Sequence, residues 1–147
     1  MNFIADAMLG RLAKRLRLLG FDVLYDVTLV DNDILHISLE QSRIILTRNT
    51  GLAYRPLARN HIVIKGDHLE EQIRQVFDKF SFPDTIPLIR CSVCNNVLLP
   101  LSRIDARNSV PEHVYATFTA FFHCDQCGRV YWRGSHVRNW EARSYKY

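Results

Sequence analysis

Four cysteines set as two identical steps, Cys91-Ser92-Val93-Cys94 and Cys124-Asp125-Gln126-Cys127, constrain this chain more than any other feature. A C-x-x-C step lets two thiolates in one tight turn occupy adjacent corners of a tetrahedron, and two steps fill all four corners. Gly128 after the second pair suits the left-handed backbone that such turns take. Asn95, which tolerates that region, holds the matching place after the first pair. The spacer 95–123 exceeds the roughly 15–20 residues of the shortest patterns, which a ribbon accommodates as an insertion between strands. The expectation is a structural zinc ion held by Cys91, Cys94, Cys124 and Cys127, closed to substrate and coupled to folding. The competing reading is a thioredoxin-like redox motif, which needs a single C-x-x-C at a helix N-terminus in a β-α-β setting. Both pairs here follow the region with that setting, and His123 reads as a neighbour of the cluster and not a ligand.

Upstream of the cysteines the hydrophobic pattern alternates between two periods. Asn2 to Ala5 is a short apolar run closed by Asp6, and Met8, Leu9, Leu12, Ala13, Leu16 and Leu19 then recur at helical spacing up to a capping Gly20. Strands are expected again at Val23-Leu24-Tyr25, Arg43 to Thr47 and His61 to Ile64. Helices are expected with Ile34, Leu35, Ser38 and Leu39, near Leu52 to Ala58, and from Leu69 to Phe80. This alternation predicts an α/β domain of three layers with a mostly parallel sheet covered on both faces. Ser81 to Pro87, with two prolines, breaks the periodicity, giving expected domains at residues 1–82 and 88–147, the second a small zinc-ribbon module with a basic, aromatic tail.

No stretch approaches the roughly 18 apolar residues of a membrane span, and no basic flank leads into an apolar run at the N-terminus. The reading is cytoplasmic, where thiols stay reduced and paired cysteines signal metal or redox chemistry. The net charge of +4 is concentrated after Cys91. A mild excess of this kind suits a polyanionic partner without demanding one.

In a parallel sheet, residues just after each strand gather along its carboxyl edge, where open α/β sheets place their ligands. Asp6 follows the first strand, Asp31 and Asp33 lie after the second, Asn49 after the third and Asp67 after the fourth. Carboxylates converging without His or Cys suit a hard cation such as Mg²⁺ or Mn²⁺, able to activate water beside a phosphodiester. Each also has a structural explanation: Asp6 and Asp31 can cap helices, and Asp67 with Glu70 forms a capping-box-like pair. Asp67 is read as a cap, whereas Asp33, inside the first turn and not needed as one, is read with Asp6 as a metal ligand.

The stretches Phe3 to Ala13, Leu18 to Asp22, Ile45 to Asn49 and Cys127 to His136 together resemble the mut-seven C-terminal RNase family, which joins a PIN-like domain to a zinc ribbon. The resemblance runs through nearly the whole chain in order. It implies a metal-dependent ribonuclease fold, with Asp6, Asp31 or Asp33, and position 49 in the family's acidic places. Position 49 is the departure. Where the family has Thr-Arg-Asp, this chain has Thr47-Arg48-Asn49. An amide oxygen can ligate a metal but brings no charge, so divalent-ion affinity should fall. Two functions stay open: an RNA-processing nuclease using Mg²⁺ or Mn²⁺, and a weakened or inactive relative that binds RNA or a ribonucleoprotein.

Arg11, Lys14 and Arg17 are read as lying opposite the leucine-rich face of the first helix, where they can hold backbone phosphates or form an ordinary solvated face. Arg48, Arg129, Arg133 and His136 complete the candidate RNA contacts. After the second cysteine pair, Tyr131, Trp132, Trp140, Tyr145 and Tyr147 interleave with Arg138, Arg143 and Lys146, a mixture that binds single strands by stacking and charge. The alternative is that the tryptophans and Tyr131 are core residues.

Overall fold

A computed structural model describes residues 1–80 and 90–132. By compactness the chain divides into Met1–Asn95 and Asn96–Tyr147. The proline-containing segment expected to mark the domain boundary lies outside the described residues, as do Arg133, His136 and the aromatic tail.

The first unit alternates strand and helix: β1 (Asn2–Ala5), α1 (Gly10–Leu18), β2 (Asp22–Leu24), α2 (Asp31–Glu40), β3 (Ile44–Thr47), α3 (Thr50–Ala53), β4 (His61–Val63) and α4 (Leu69–Lys79). A 3-10 turn at Ala7–Leu9 joins β1 to α1. The four strands form one parallel sheet in the order β2-β1-β3-β4. The expected α/β layer is therefore present, with boundaries shifted by a residue or so; the weak third helix forms early, over Thr50–Ala53, instead of near Leu52 to Ala58.

Side chains alternate across a strand, and β1 shows both faces of the sheet. Ile4 and Ile45 meet Ile34 and Leu35 of α2 and Leu52 of α3 in one buried cluster. Phe3 points the other way, edge-on to Phe21 at 5.8 Å and to Phe80 at 6.0 Å, while Phe21 meets Phe77 of α4 at 5.9 Å. Phe21 reaches this place because α1 ends as its sequence predicts. Gly20 takes φ +93°, Gly20 N–H donates to Arg17 O, and Phe21 N–H donates to Leu16 O. That 6→1 and 5→2 pair is a Schellman stop, which turns the residue after glycine back onto the helix. Phe3 is fully buried, and truncating it to Ala should cost about 3–5 kcal/mol.

The second unit carries β5 (Leu99–Leu101), α5 (Arg103–Ala106), α6 (Glu112–Thr117), β6 (Phe121–His123) and β7 (Val130–Trp132), with an antiparallel sheet ordered β5-β6-β7. The long spacer between cysteine pairs is thus a two-helix insertion between ribbon strands. It supplies its own core, Ala106, Val114 and Phe121, against which Trp132, Tyr115 and Phe118 pack. Trp132 is half-buried and packs against that core. Among the described residues no helix is long and apolar enough to cross a membrane.

Candidate active site and metal centre

Asp6 sits where β1 ends, and it is buried. Its Oδ1 accepts Met8 N–H at 3.0 Å and so caps the 3-10 turn. Its Oδ2 accepts the Thr47 hydroxyl at 2.5 Å and Arg48 N–H at 2.8 Å, both from the carboxyl end of the adjacent β3. Charge-assisted bonds of this kind are the strong ones, and three of them fix the carboxylate rigidly at the sheet edge. Thr47 is fully buried and bridges onward, accepting Asn49 N–H at 2.9 Å. The sequence reading missed Thr47; its one signal was a hydroxyl ending an apolar strand immediately before Arg48-Asn49.

Asn49 occupies the N-cap of α3, with its Oδ1 accepting Leu52 N–H at 3.3 Å. Its Nδ2 donates to Asp31 Oδ2, also at 3.3 Å. The two bonds orient the amide, because only oxygen can accept from Leu52 and only nitrogen can donate to Asp31. Asn49 therefore presents a donor to Asp31 and commits its oxygen to the start of α3.

Asp31 is the first residue of α2, and the N-cap before it is Val30, so Asp31 is not the cap. Asp33, read as spare from capping, instead accepts Val30 N–H at 3.3 Å across that first turn. The structure brings Asp31 to Asn49 and leaves Asp33 on its own helix end. Asp67 is no cap either: α4 begins after His68, and Asp67 pairs with Arg48 at 2.9 Å. Arg48 and Asp67 help line an open cleft with Met8, Arg11, Leu69 and Gln72.

Arg17 corrects another expectation. Instead of facing solvent it is 5% exposed, with Nε donating to Val23 O at 2.9 Å and Nη1 donating to Ser92 O and Val93 O at 3.0 and 3.1 Å. It cannot reach a phosphate without abandoning buried carbonyls. Burial pushes its guanidinium below the ordinary arginine value, against the opposing pull of Cys91, Asp22 and Cys94. Arg11 and Lys14 are exposed as expected, and so is Arg129.

Around the cysteines the backbone adopts the turns that metal binding needs. Asn95 takes φ +64° and Gly128 φ +75°, as their residue types predict. Asn95 N–H donates to Cys91 O at 2.9 Å, Gly128 N–H to Cys124 O at 2.8 Å, and Cys94 N–H points to Cys91 Sγ at 3.4 Å. The four sulfurs lie within 4.8 Å of one another. A tetrahedral four-thiolate zinc site places sulfurs about 3.8 Å apart, so the set fits zinc with little rearrangement.

The hard-cation site is a poorer fit. Among the described residues the cysteines alone form a group of three or more close metal-type ligands. The three-acid cage implied by resemblance is absent, because an amide nitrogen stands in its third place. Among the described residues no three acidic groups come close enough to hold Mg²⁺ or Mn²⁺ by themselves, and such ions otherwise accept one or two carboxylates plus substrate phosphate and keep most of their waters.

The family model described as Mut7-C RNAse domain matches residues 1–144. The chain belongs to the Mut7-C RNAse domain family. Comparison with curated proteins and with solved structures finds no match. In this Mut7-C chain a four-strand parallel sheet of a ribonuclease-type domain occurs with a four-cysteine cluster consistent with a zinc ribbon.

Proposed function

We propose that this Mut7-C protein is an RNA-processing, metal-dependent ribonuclease of PIN-like type whose cleavage is weakened by Asn49. The observation that carries the reading is the Asn49 Nδ2 to Asp31 Oδ2 bond beside the rigidly held Asp6. Asp6 and Asp31 would hold the ion, and a bound Mg²⁺ or Mn²⁺ would supply a hydroxide-like water and neutralise charge on the phosphate.

The chain's own residues do the rest. Thr47 and the backbone N–H groups of Met8 and Arg48 keep the Asp6 carboxyl aimed at one spot. Arg11 and Lys14 on α1, with Arg48 once released from Asp67, attract the RNA backbone and set its path past Asp6. Asn49 satisfies Asp31 when no ion is present, which lowers the advantage of binding one. The nuclease-type role is assigned to residues 1–82 and the ribbon and tail to 88–147, with the first cysteine turn falling in the compact unit Met1–Asn95. The compartment is the cytoplasm, where reduced thiols remain available to zinc.

The orientation of the Asn49 amide also favours a second reading, a relative that holds RNA or a ribonucleoprotein without cutting. One assay separates the two: labelled single-stranded and structured RNA incubated with Mg²⁺ or Mn²⁺ and with parent, Asp6→Asn or Asn49→Asp protein. Slow Mn²⁺-dependent cutting by the parent, loss in Asp6→Asn and acceleration in Asn49→Asp are expected. Equal cutting by Asp6→Asn and parent shows that the assigned site is wrong. RNA binding by the parent without cutting, combined with cleavage by Asn49→Asp, identifies a disabled enzyme.

A further inference from the structure

The edge of the parallel sheet is closed by the first cysteine turn. Strand β2 is an edge strand, and an unpaired edge presents backbone donors and acceptors to solvent. Here Val23 N–H on that edge is taken by Asn95 Oδ1 at 3.1 Å, and Asn95 Nδ2 donates to Asp22 Oδ1 at 2.8 Å. Asn95 is the residue at φ +64° that completes the Cys91 to Cys94 turn, so its side chain acts as a fragment of an extra strand. From behind, the Arg17 guanidinium holds the carbonyls of Ser92 and Val93, the two residues between the cysteines, together with Val23 O. Arg90 Nη1 donates to Asn95 O at 2.8 Å. Asp22 is tied in turn to Arg43 at 2.8 Å, and Arg43 Nη1 donates to Phe3 O of β1.

We propose that Arg17 and Asn95 are positioning residues for the zinc half-site Cys91 and Cys94, and that zinc binding thereby closes the β2 edge of the α/β unit. The electrostatics and the backbone geometry agree. Four thiolates around Zn²⁺ carry a net charge of about −2, and the buried guanidinium supplies a positive charge and two donors to the turn that bears half of them. The residue that completes this turn has a left-handed backbone, which asparagine tolerates better than other non-glycine residues but does not favour. Metal ligation offsets that strain, and loss of metal removes the reason for Asn95 to stay in register with Val23. Coupling runs both ways: residues that hold the turn raise zinc affinity, and zinc protects the hydrogen bonds they make.

The test uses the full zinc-loaded chain. Zinc affinity is measured by competition with a chromophoric chelator for parent, Arg17→Met, Arg17→Lys and Asn95→Gly, and amide exchange is followed with zinc and after chelation. Arg17→Met and Asn95→Gly should bind zinc about tenfold or more weakly, with Arg17→Lys in between. In the parent, Val23 and the last turn of α1 should lose protection on chelation while the central strand β3 keeps it. Parental zinc affinity in an Arg17→Met protein whose β3 amides remain protected overturns the proposal. So does Val23 exchange in the parent that is indifferent to zinc. If Arg17→Met does not fold, Asn95→Gly decides alone, because glycine keeps the turn and removes the side-chain bonds. Unchanged zinc affinity in that variant is then the overturning result.

Discussion

Asn49 turns its amide nitrogen, not its oxygen, toward Asp31, and the N–H of Leu52 is the reason. An N-cap must accept, so the oxygen is committed to the helix and the remaining atom faces the acidic group. A carboxylate at the same position could cap with one oxygen and ligate with the other.

Replacing Asn49 by Asp should put a carboxylate oxygen where the amide nitrogen now stands, 3.3 Å from Asp31 Oδ2, if the cap is kept. Without a divalent ion the two acids repel, and the variant should lose on the order of 1 kcal/mol of stability at neutral pH. With Mn²⁺ the sign reverses, and titration calorimetry should show affinity rising about tenfold or more. A variant no less stable than the parent in chelator, and no better at binding Mn²⁺, is incompatible with the geometry described.

Thr47→Val removes a buried hydroxyl that serves Asp6 on one side and Asn49 N–H on the other. The shape is kept and two hydrogen bonds are lost, so chemical denaturation should register a loss of about 1–3 kcal/mol. A loss below about 0.5 kcal/mol would mean that water replaces the hydroxyl and that Asp6 is less confined than its burial implies.

Asp67 lies 88% exposed on its side chain while holding Arg48. Such a surface pair contributes little, so Asp67→Ala should change stability by less than about 1 kcal/mol. It should however release Arg48 for phosphate. Fluorescence anisotropy with single-stranded RNA should therefore show tighter binding and a slope of log K against log salt steeper by about 0.7, the value for one added phosphate contact on a single strand. An unchanged slope argues that Arg48 does not meet the backbone.

Burial on its own would raise the Asp22 carboxyl, but hydrogen bonds from Arg43 and Asn95 and the charges of Arg43 and Arg90 together hold it below the ordinary value. Its folded-state pKa is depressed, so the stability it supplies is present above the unfolded carboxylate pKa of about 3.9 and is lost as pH falls through the folded value. Thermal unfolding recorded downward from pH 6 should fall less steeply below about pH 4 in Asp22→Asn than in the parent. Cysteine protonation acts on both proteins, so the difference between them isolates Asp22; parallel profiles would contradict the assignment.

Arg17 shows where local pattern stops being informative. It follows Ala13 by four residues and so lies on a buried flank of α1, yet its charge made the outward face the natural reading. Its real partners, the carbonyls of Ser92 and Val93, lie some 75 residues away in sequence. Asp33 and Asp67 were misjudged for a related reason. Capping depends on where the helix starts, and starts are uncertain by one or two residues until the backbone is known. Asn95 and Gly128, by contrast, were legible from residue type, because a tight turn around two thiolates demands a left-handed residue wherever it is built.

By itself the sequence determined the alternation of strand and helix, the Gly20 stop on α1, the four-cysteine centre and the presence of an amide where the family carries an acid. These are local properties, set by hydrophobic period, backbone freedom and ligand spacing. Only the tertiary structure decided which way that amide points, that Asp31 and not Asp33 meets it, that Arg17 serves the cysteine turn, and that the long spacer is a two-helix insertion with its own core. Each of those depends on which donors and acceptors the fold brings within about 3 Å, and hydrogen bonds at that range are set by packing between distant segments and not by neighbours along the chain.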